Sequence, residues 1–161
     1  MHNNYHFLKH LAKDLKALLL DSELVACFSQ EKDELIIGFE KNGKESFLKC
    51  TLKPDFSCLT TQSEFARARK NTVSLWEEIY NKKVQDIAIF ENERAIKIEL
   101  EDNYLLIIKL FGNRPNLLVY HHSEQIAIFN NSLSSDKTLG ISDFEKVADL
   151  GFQNFQNHEG N

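Results

Sequence analysis

From Leu105 to Tyr120 the chain reads LLIIKLFGNRPNLLVY, two nearly continuous apolar runs on either side of a short polar turn. Both runs are expected to be strands of the core. Gly112 permits a positive φ or a close backbone approach, and Pro115 holds Arg114 in an extended shape. Asn113 or Asn116 can bond the turn's own backbone, which leaves Arg114 standing outward.

Further strands flank this hairpin. Val84–Phe90, Arg94–Leu100 and Gln125–Phe129 have strand character, with tight turns at Glu91–Glu93, Glu101–Asn103 and His121–Glu124. Strands this short and this closely spaced form a sheet meander. A second meander is expected nearer the amino end, from Leu24–Ser29, Glu34–Glu40 and Ser46–Leu52, with a strong hairpin signal at Asn42-Gly43. In its middle strand Leu35, Ile37 and Phe39 point one way and Ile36 and Gly38 the other. One face is therefore core, and a helix is expected over the opposite one.

Helices are expected at three places. Asn4–Leu20 is amphipathic, with Leu8, Leu11, Leu15 and Leu18 at helical spacing. After a break at Pro54–Thr61, Gln62–Tyr80 reads as helical in two pieces, with Ser63 as a cap. Ser142–Leu150 is a weak helix before a polar tail. The expected organisation is a single domain over 1–161, with its core at about 5–135 and a weakly helical tail at 136–161.

Composition bounds the class. A chain of 161 residues can bury roughly two thirds of its unfolded surface. With 42% hydrophobic and 27% charged residues and two prolines, it is neither a disordered tail nor a fibrous chain. The net charge of −5 argues against a broad basic surface for nucleic acid but leaves room for a local patch. Cys27, Cys50 and Cys58 form an odd set without metal-site spacing, which fits a reducing compartment. Lys9, Lys13, Asp14 and Lys16 interrupt what would be the apolar region of a signal peptide, and no run is long enough to span a bilayer. A cytoplasmic protein without a membrane partner is expected.

No motif points to catalysis. The six glycines are scattered, and no phosphate loop, nucleophile elbow, zinc-protease pair or calcium loop occurs. His2, His6 and His10 recur every four residues, yet no carboxylate or cysteine is tied to them, so no metal and no cofactor is expected. His121 and His122 read as solvated turn residues; a hydrolase built on them with nearby acids is a minor alternative. Glu91, Glu93, Glu99, Glu101 and Asp102 read as solvated turn ends.

Two basic groups stand out. Arg67, Arg69 and Lys70 fall at a helix end, where they suit the helix dipole or a phosphate. Arg94 shares parity with Ile96, Ile98 and Leu100, which aims it toward the apolar side at the rim of the sheet. It then needs an acceptor: Glu93, a backbone carbonyl or a partner's phosphate.

The run Leu110–Val119, with Gly112-Asn113-Arg114-Pro115-Asn116 at its centre, resembles the G-x-R-S-N-hydrophobic turn of the NFACT family's amino-terminal domain. This family includes ribosome quality-control proteins long labelled fibronectin-binding protein A-like. The opening Phe7-Leu8 helix through Leu18-Leu19, the stretch Phe28–Leu35, Arg69-Lys70-Asn71 and Glu93-Arg94 agree in order, so the resemblance covers about residues 5–135. It implies an α+β fold: antiparallel sheets in a sandwich-like arrangement with packed helices, like the amino-terminal part of formamidopyrimidine-DNA glycosylases. Those enzymes attack with an amino-terminal proline, which Met1-His2-Asn3 does not supply, so a non-catalytic binding module is expected.

The resemblance further implies a role in contacting tRNA and the large ribosomal subunit, within a longer protein that supports tailing of stalled nascent chains. The family's Asp-Arg pair falls on Glu93-Arg94, with an acid one methylene longer. Pro115 replaces the usual serine of the turn. Arg94 is the leading RNA-contacting residue, followed by Glu93, Arg67, Arg69, Lys70 and Arg114. The alternative is a protein-interaction or adhesive module without direct RNA contact. Neither reading defines an oligomeric state.

Overall fold

The computed structural model describes residues 5–53, 56–63, 73–90, 94–110, 115–130 and 136–141. Helix α1 (Tyr5–Leu19) buries Leu8, Ala12, Leu15 and Leu19, a 4-3-4 spacing that keeps one stripe on the core. The stripe differs from the expected one: Leu18 is 45% exposed, and Leu19 takes the inward place.

Ten strands follow: β1 (Glu23–Glu31), β2 (Glu34–Lys41), β3 (Lys44–Lys53), β4 (Phe56–Gln62), β5 (Val73–Ser74), β6 (Lys82–Ile89), β7 (Ala95–Leu100), β8 (Tyr104–Lys109), β9 (Asn116–His121) and β10 (Glu124–Ile128). They form one antiparallel sheet in the order β10-β9-β8-β7-β6-β1-β2-β3-β4, with β5 paired to β1. This corrects the expected sandwich-like α+β arrangement with packed helices. The sheet is open, and α1 is the one α-helix of more than a single turn among the described residues.

The reason lies in β1. It pairs along much of its length with β2, and it also meets β6 through Glu23 opposite Lys83 and Leu24 opposite Lys82. Asp21 N–H donates to the Val84 carbonyl at 3.0 Å, and Val84 N–H to that of Ser22 at 2.8 Å. The two meanders thus join edge to edge. Both strands carry an extra residue beside this seam, Val25 in β1 and Gln85 in β6. Each bulge resets the alternation, so Leu24 and Cys27, and likewise Val84 and Ile87, turn the same way although three apart.

One apolar cluster consequently runs from Leu8 and Leu15 of α1 through Leu35, Ile37 and Phe39 to Ile96, Ile98, Leu106 and Val119. The reverse face of β7–β9 holds a smaller cluster of Ala95, Ile107, Leu118 and Tyr120 with Phe90, against which Leu139 and Ile141 pack. Burial on both faces accounts for the continuous apolar runs of β8 and β9. In the other meander Ile36 and Gly38 are buried too, and a Cβ on Gly38 would stand 3.1 Å from Phe47 Cε1. Absence of a side chain there makes room for the Phe47 ring. Asn42 and Gly43 have φ of 54° and 81°, the primed hairpin turn their pairing implies.

Two segments depart from expectation. Residues 56–62 pair with β3 as strand β4, although Ser57, Thr60 and Thr61 give them no apolar alternation. The expected helix over Gln62–Tyr80 is replaced, in its described parts, by the end of β4, by β5 and by one 3-10 turn at Glu77–Ile79. Trp76 adopts φ 52°, ψ 51°, which no right-handed helix can include. Tyr80 then ties this segment to β1: its hydroxyl donates to the Cys27 carbonyl at 3.0 Å and accepts from Cys27 N–H at 3.1 Å. The expected helix at Ser142–Leu150 lies outside the described residues.

Candidate functional site

Antiparallel pairing brings three points of the chain to one end of the β6–β10 half. These are the start of β7, the end of β8 with the start of β9, and the end of β10. Arg94 immediately precedes β7, and its carbonyl accepts from Leu110 N–H at 2.8 Å, so its backbone is fixed to the residue that follows β8. The residue is exposed. Ile96, Ile98 and Leu100 face the core as their parity requires, whereas Arg94 lies before the strand and escapes that alternation. No buried acceptor is needed, and among the described residues Arg94 makes no ion pair. Glu93, Arg67, Arg69, Lys70 and Arg114 lie outside the described residues.

Beneath this end lies a buried polar network. Lys109 closes β8 and faces Asn116 at the start of β9. Lys109 Nζ donates to Asp136 Oδ1 at 2.6 Å, and Asn116 Nδ2 donates to Asp136 Oδ2 at 3.0 Å and to the Asn130 carbonyl at 3.1 Å. Asn116 Oδ1 accepts from Leu117 N–H at 2.9 Å and Asn130 N–H at 2.8 Å. Further along, Gln125 Nε2 donates to the Asp136 carbonyl at 2.8 Å, and the Tyr120 hydroxyl donates to the Leu139 carbonyl at 2.6 Å. Residues 136–141 are thereby strapped across β8, β9 and β10. The strap and the end of β8 share one ion pair.

Lys109 and Asp136 were not singled out by the motifs. The available signal was the parity of Lys109, which alternates with the apolar Leu105 and Ile107 and therefore had to find a buried acceptor. Its partner lies 27 residues downstream in a polar stretch, with nothing in its immediate neighbours to mark it. The network leaves Arg94 as an exposed fork of donors on a rigid base, a form suited to a phosphate or carboxylate.

The opposite end of the same strands is different. Tyr104 and His121, paired across β8 and β9, stack with ring centres 3.9 Å apart and planes 7° from parallel; His122 lies 4.1 Å further, tilted by 42°. His121 is thus a half-buried stacking partner and not a freely solvated turn residue. Lys82 Nζ stands 5.5 Å from the Tyr104 ring centre and donates to Asp102. That hydrogen bond holds the Asp102 carboxyl below its ordinary pKa and raises that of Lys82. Glu101 accepts from Lys83 N–H at 2.7 Å, so these acids pin the turn beside β6 and are more than solvated ends.

Elsewhere, His6 and His10 are exposed on α1. No group of three His, Cys, Asp or Glu able to hold a metal occurs among the described residues. Burial, then the neighbouring Cys50, raises the Cys27 thiol well above its ordinary value, and burial pushes Cys50 to about 12. No described helix is long and apolar enough to cross a membrane.

The fold resembles two solved structures. One is the N-terminal domain of fibronectin-binding protein PavA from Streptococcus pneumoniae, at 18% identity and a TM-score of 0.65, covering 76% of this chain and 54% of that one. The other is the fibrinogen binding protein from Staphylococcus aureus, at 18% identity and a TM-score of 0.68, covering 81% of this chain and 51% of that one. The matches therefore span about half the length of each neighbour. Comparison with curated protein sequences finds no match. The model of the NFACT N-terminal and middle domains matches residues 4–138, a span that takes in α1, every strand, the Arg94 end of the sheet and Asp136 of the strap. With that span matched, the chain belongs to the NFACT N-terminal domain family.

Proposed function

We propose that this chain is a non-catalytic RNA-contacting domain, engaging tRNA and the large ribosomal subunit within a quality-control factor that supports tailing of stalled nascent chains. The observation that carries the reading is Arg94, exposed at the end of the sheet with its backbone tied to Leu110. Family membership supports it, and so does the sequence resemblance by which the family's Asp-Arg pair falls on Glu93-Arg94. A guanidinium on a fixed backbone can meet a phosphate with two parallel hydrogen bonds. Glu93, Arg67, Arg69, Lys70 and Arg114 are the further candidates for RNA contact. With a net charge of −5, much of the affinity is assigned to other parts of a longer protein.

The test is co-sedimentation of the full-length protein with large ribosomal subunits and tRNA, comparing the native chain with Arg94→Ala. Reduced association by a folded variant supports the reading; unchanged association overturns it. The names of the two structural neighbours favour a second reading, a protein-interaction module for extracellular-matrix or plasma proteins such as fibronectin or fibrinogen. Binding to immobilised fibronectin that survives high salt and excess RNA would establish that alternative instead.

A further inference from the structure

On the face of β6–β8 turned away from α1 lies a groove of about 530 Å³, within the range of small-molecule sites. Lys97 and Glu99 of β7 contribute to its floor, and the apolar sides include Phe90 and Ile141. Ile141 belongs to the strap, so the segment held by the buried network also borders the groove. At the far end from Arg94 the groove closes on Asn103, His122 and Ser123. These residues sit in two adjacent turns joined by the His122 N–H to Asn103 carbonyl bond of 3.0 Å.

Both turns are left-handed hairpin turns: Asp102 and Asn103 have φ of 62° and 64°, and His122 and Ser123 have φ of 50° and 69°. They hold Asn103, His122 and Ser123 against the groove. Among the described residues, the side chains of Glu99, Asn103 and Ser123 have no hydrogen-bond partner, while the exposed His122 ring ends a column that begins with Tyr104 and His121. A planar aromatic face beside open donors and acceptors matches one chemistry.

We propose that this groove binds an unpaired nucleobase, stacked on His122 as the next ring of the Tyr104–His121–His122 column, with its polar edge toward Glu99 and Asn103. Glu99 accepts from an exocyclic amine, and Lys97 beside it on the floor can meet a base carbonyl or the nucleotide's own phosphate. The base comes from a free nucleotide or from a single strand of RNA. The site is independent of Arg94, which lies at the opposite end of the strands.

The probes are AMP, CMP, UMP and the corresponding single-stranded hexanucleotides, titrated into the 161-residue chain while the His122 imidazole resonances are followed. AMP and CMP are expected to shift those resonances, with UMP roughly tenfold weaker for want of an amine. His122→Asn tolerates the left-handed turn but removes the ring, and it should weaken AMP roughly 5- to 150-fold. Glu99→Gln should abolish the preference over UMP, and Lys13→Ala, an exposed position on α1, should change nothing. A hexanucleotide that binds more tightly than its monomer identifies RNA as the source; equal affinity identifies the free nucleotide. Absence of any His122 shift at saturating nucleotide and oligonucleotide overturns the proposal, as does equal weakening by Lys13→Ala and His122→Asn.

Discussion

Lys109 and Asp136, 27 residues apart, form an ion pair whose side chains are only 6% and 2% exposed, and this pair binds the end of β8 to the strap across β8–β10. Removing one partner strands a buried charge. Asp136→Ala is expected to cost about 3–5 kcal/mol in urea denaturation, whereas the paired replacement Lys109→Met with Asp136→Leu should recover much of that loss. A single variant as stable as the native protein would show that the pair does not hold the strap.

Arg94→Lys separates charge from geometry. The residue is exposed and only its backbone bonds to Leu110, so both Arg94→Lys and Arg94→Ala should unfold within about 0.5 kcal/mol of the native chain. In the full-length protein Arg94→Lys should fall short of native RNA association, because an ammonium lacks the planar fork. Association measured against salt should lose about one unit of slope in Arg94→Ala.

Acid sensitivity has a specific contributor at α1. Lys16 Nζ lies 2.9 Å from Asp86 Oδ1, and this hydrogen bond, helped by the Ile87 N–H, holds the Asp86 carboxyl below its ordinary value. A carboxyl lowered in the folded state stabilises it fully above the unfolded pKa of about 3.9, and loses that effect as pH falls through the lower folded value. Lys16→Met should therefore flatten the loss of stability below about pH 4 while leaving its shape near pH 7 unchanged. Both groups are partly exposed, so the effect is small and weakens with salt.

Thiol labelling should divide the three cysteines. Cys58 is half-buried, whereas Cys27 and Cys50 are fully enclosed with their thiols pushed upward by burial. At pH 8 one thiol should react with a disulfide reagent in the folded protein, and the other two only at the rate of unfolding. Rapid labelling of all three in buffer would contradict the packing of β1 and β3.

Much of the fold was readable because local signals and burial agree. Asn42-Gly43 marks its hairpin, and Leu105–Tyr120 declares a pair of strands covered on both faces. The joining of the meanders was not readable. It rests on two pairs, Glu23 with Lys83 and Leu24 with Lys82, and on bulges at Val25 and Gln85 that leave no periodic trace. β4 was hidden by its polar composition, and the 73–80 segment by apolar spacing that looks helical until Trp76 turns left-handed. The orientation of Arg94 was misread, because strand parity was extended one residue beyond the start of β7 at Ala95. The strap was not legible, since Asp136 and Lys109 meet only through tertiary structure.

Asn116, the asparagine that closes the family's turn, divides the labour of that segment. Its carbonyl oxygen already accepts two hydrogen bonds and its amide nitrogen already donates two, all within the protein. An amide so saturated has nothing left to offer a ligand. Asn116 is therefore a keystone: its amide is spent entirely on joining β9 to the strap and to Asn130, and any ligand at this end would have to find its hydrogen bonds on other groups.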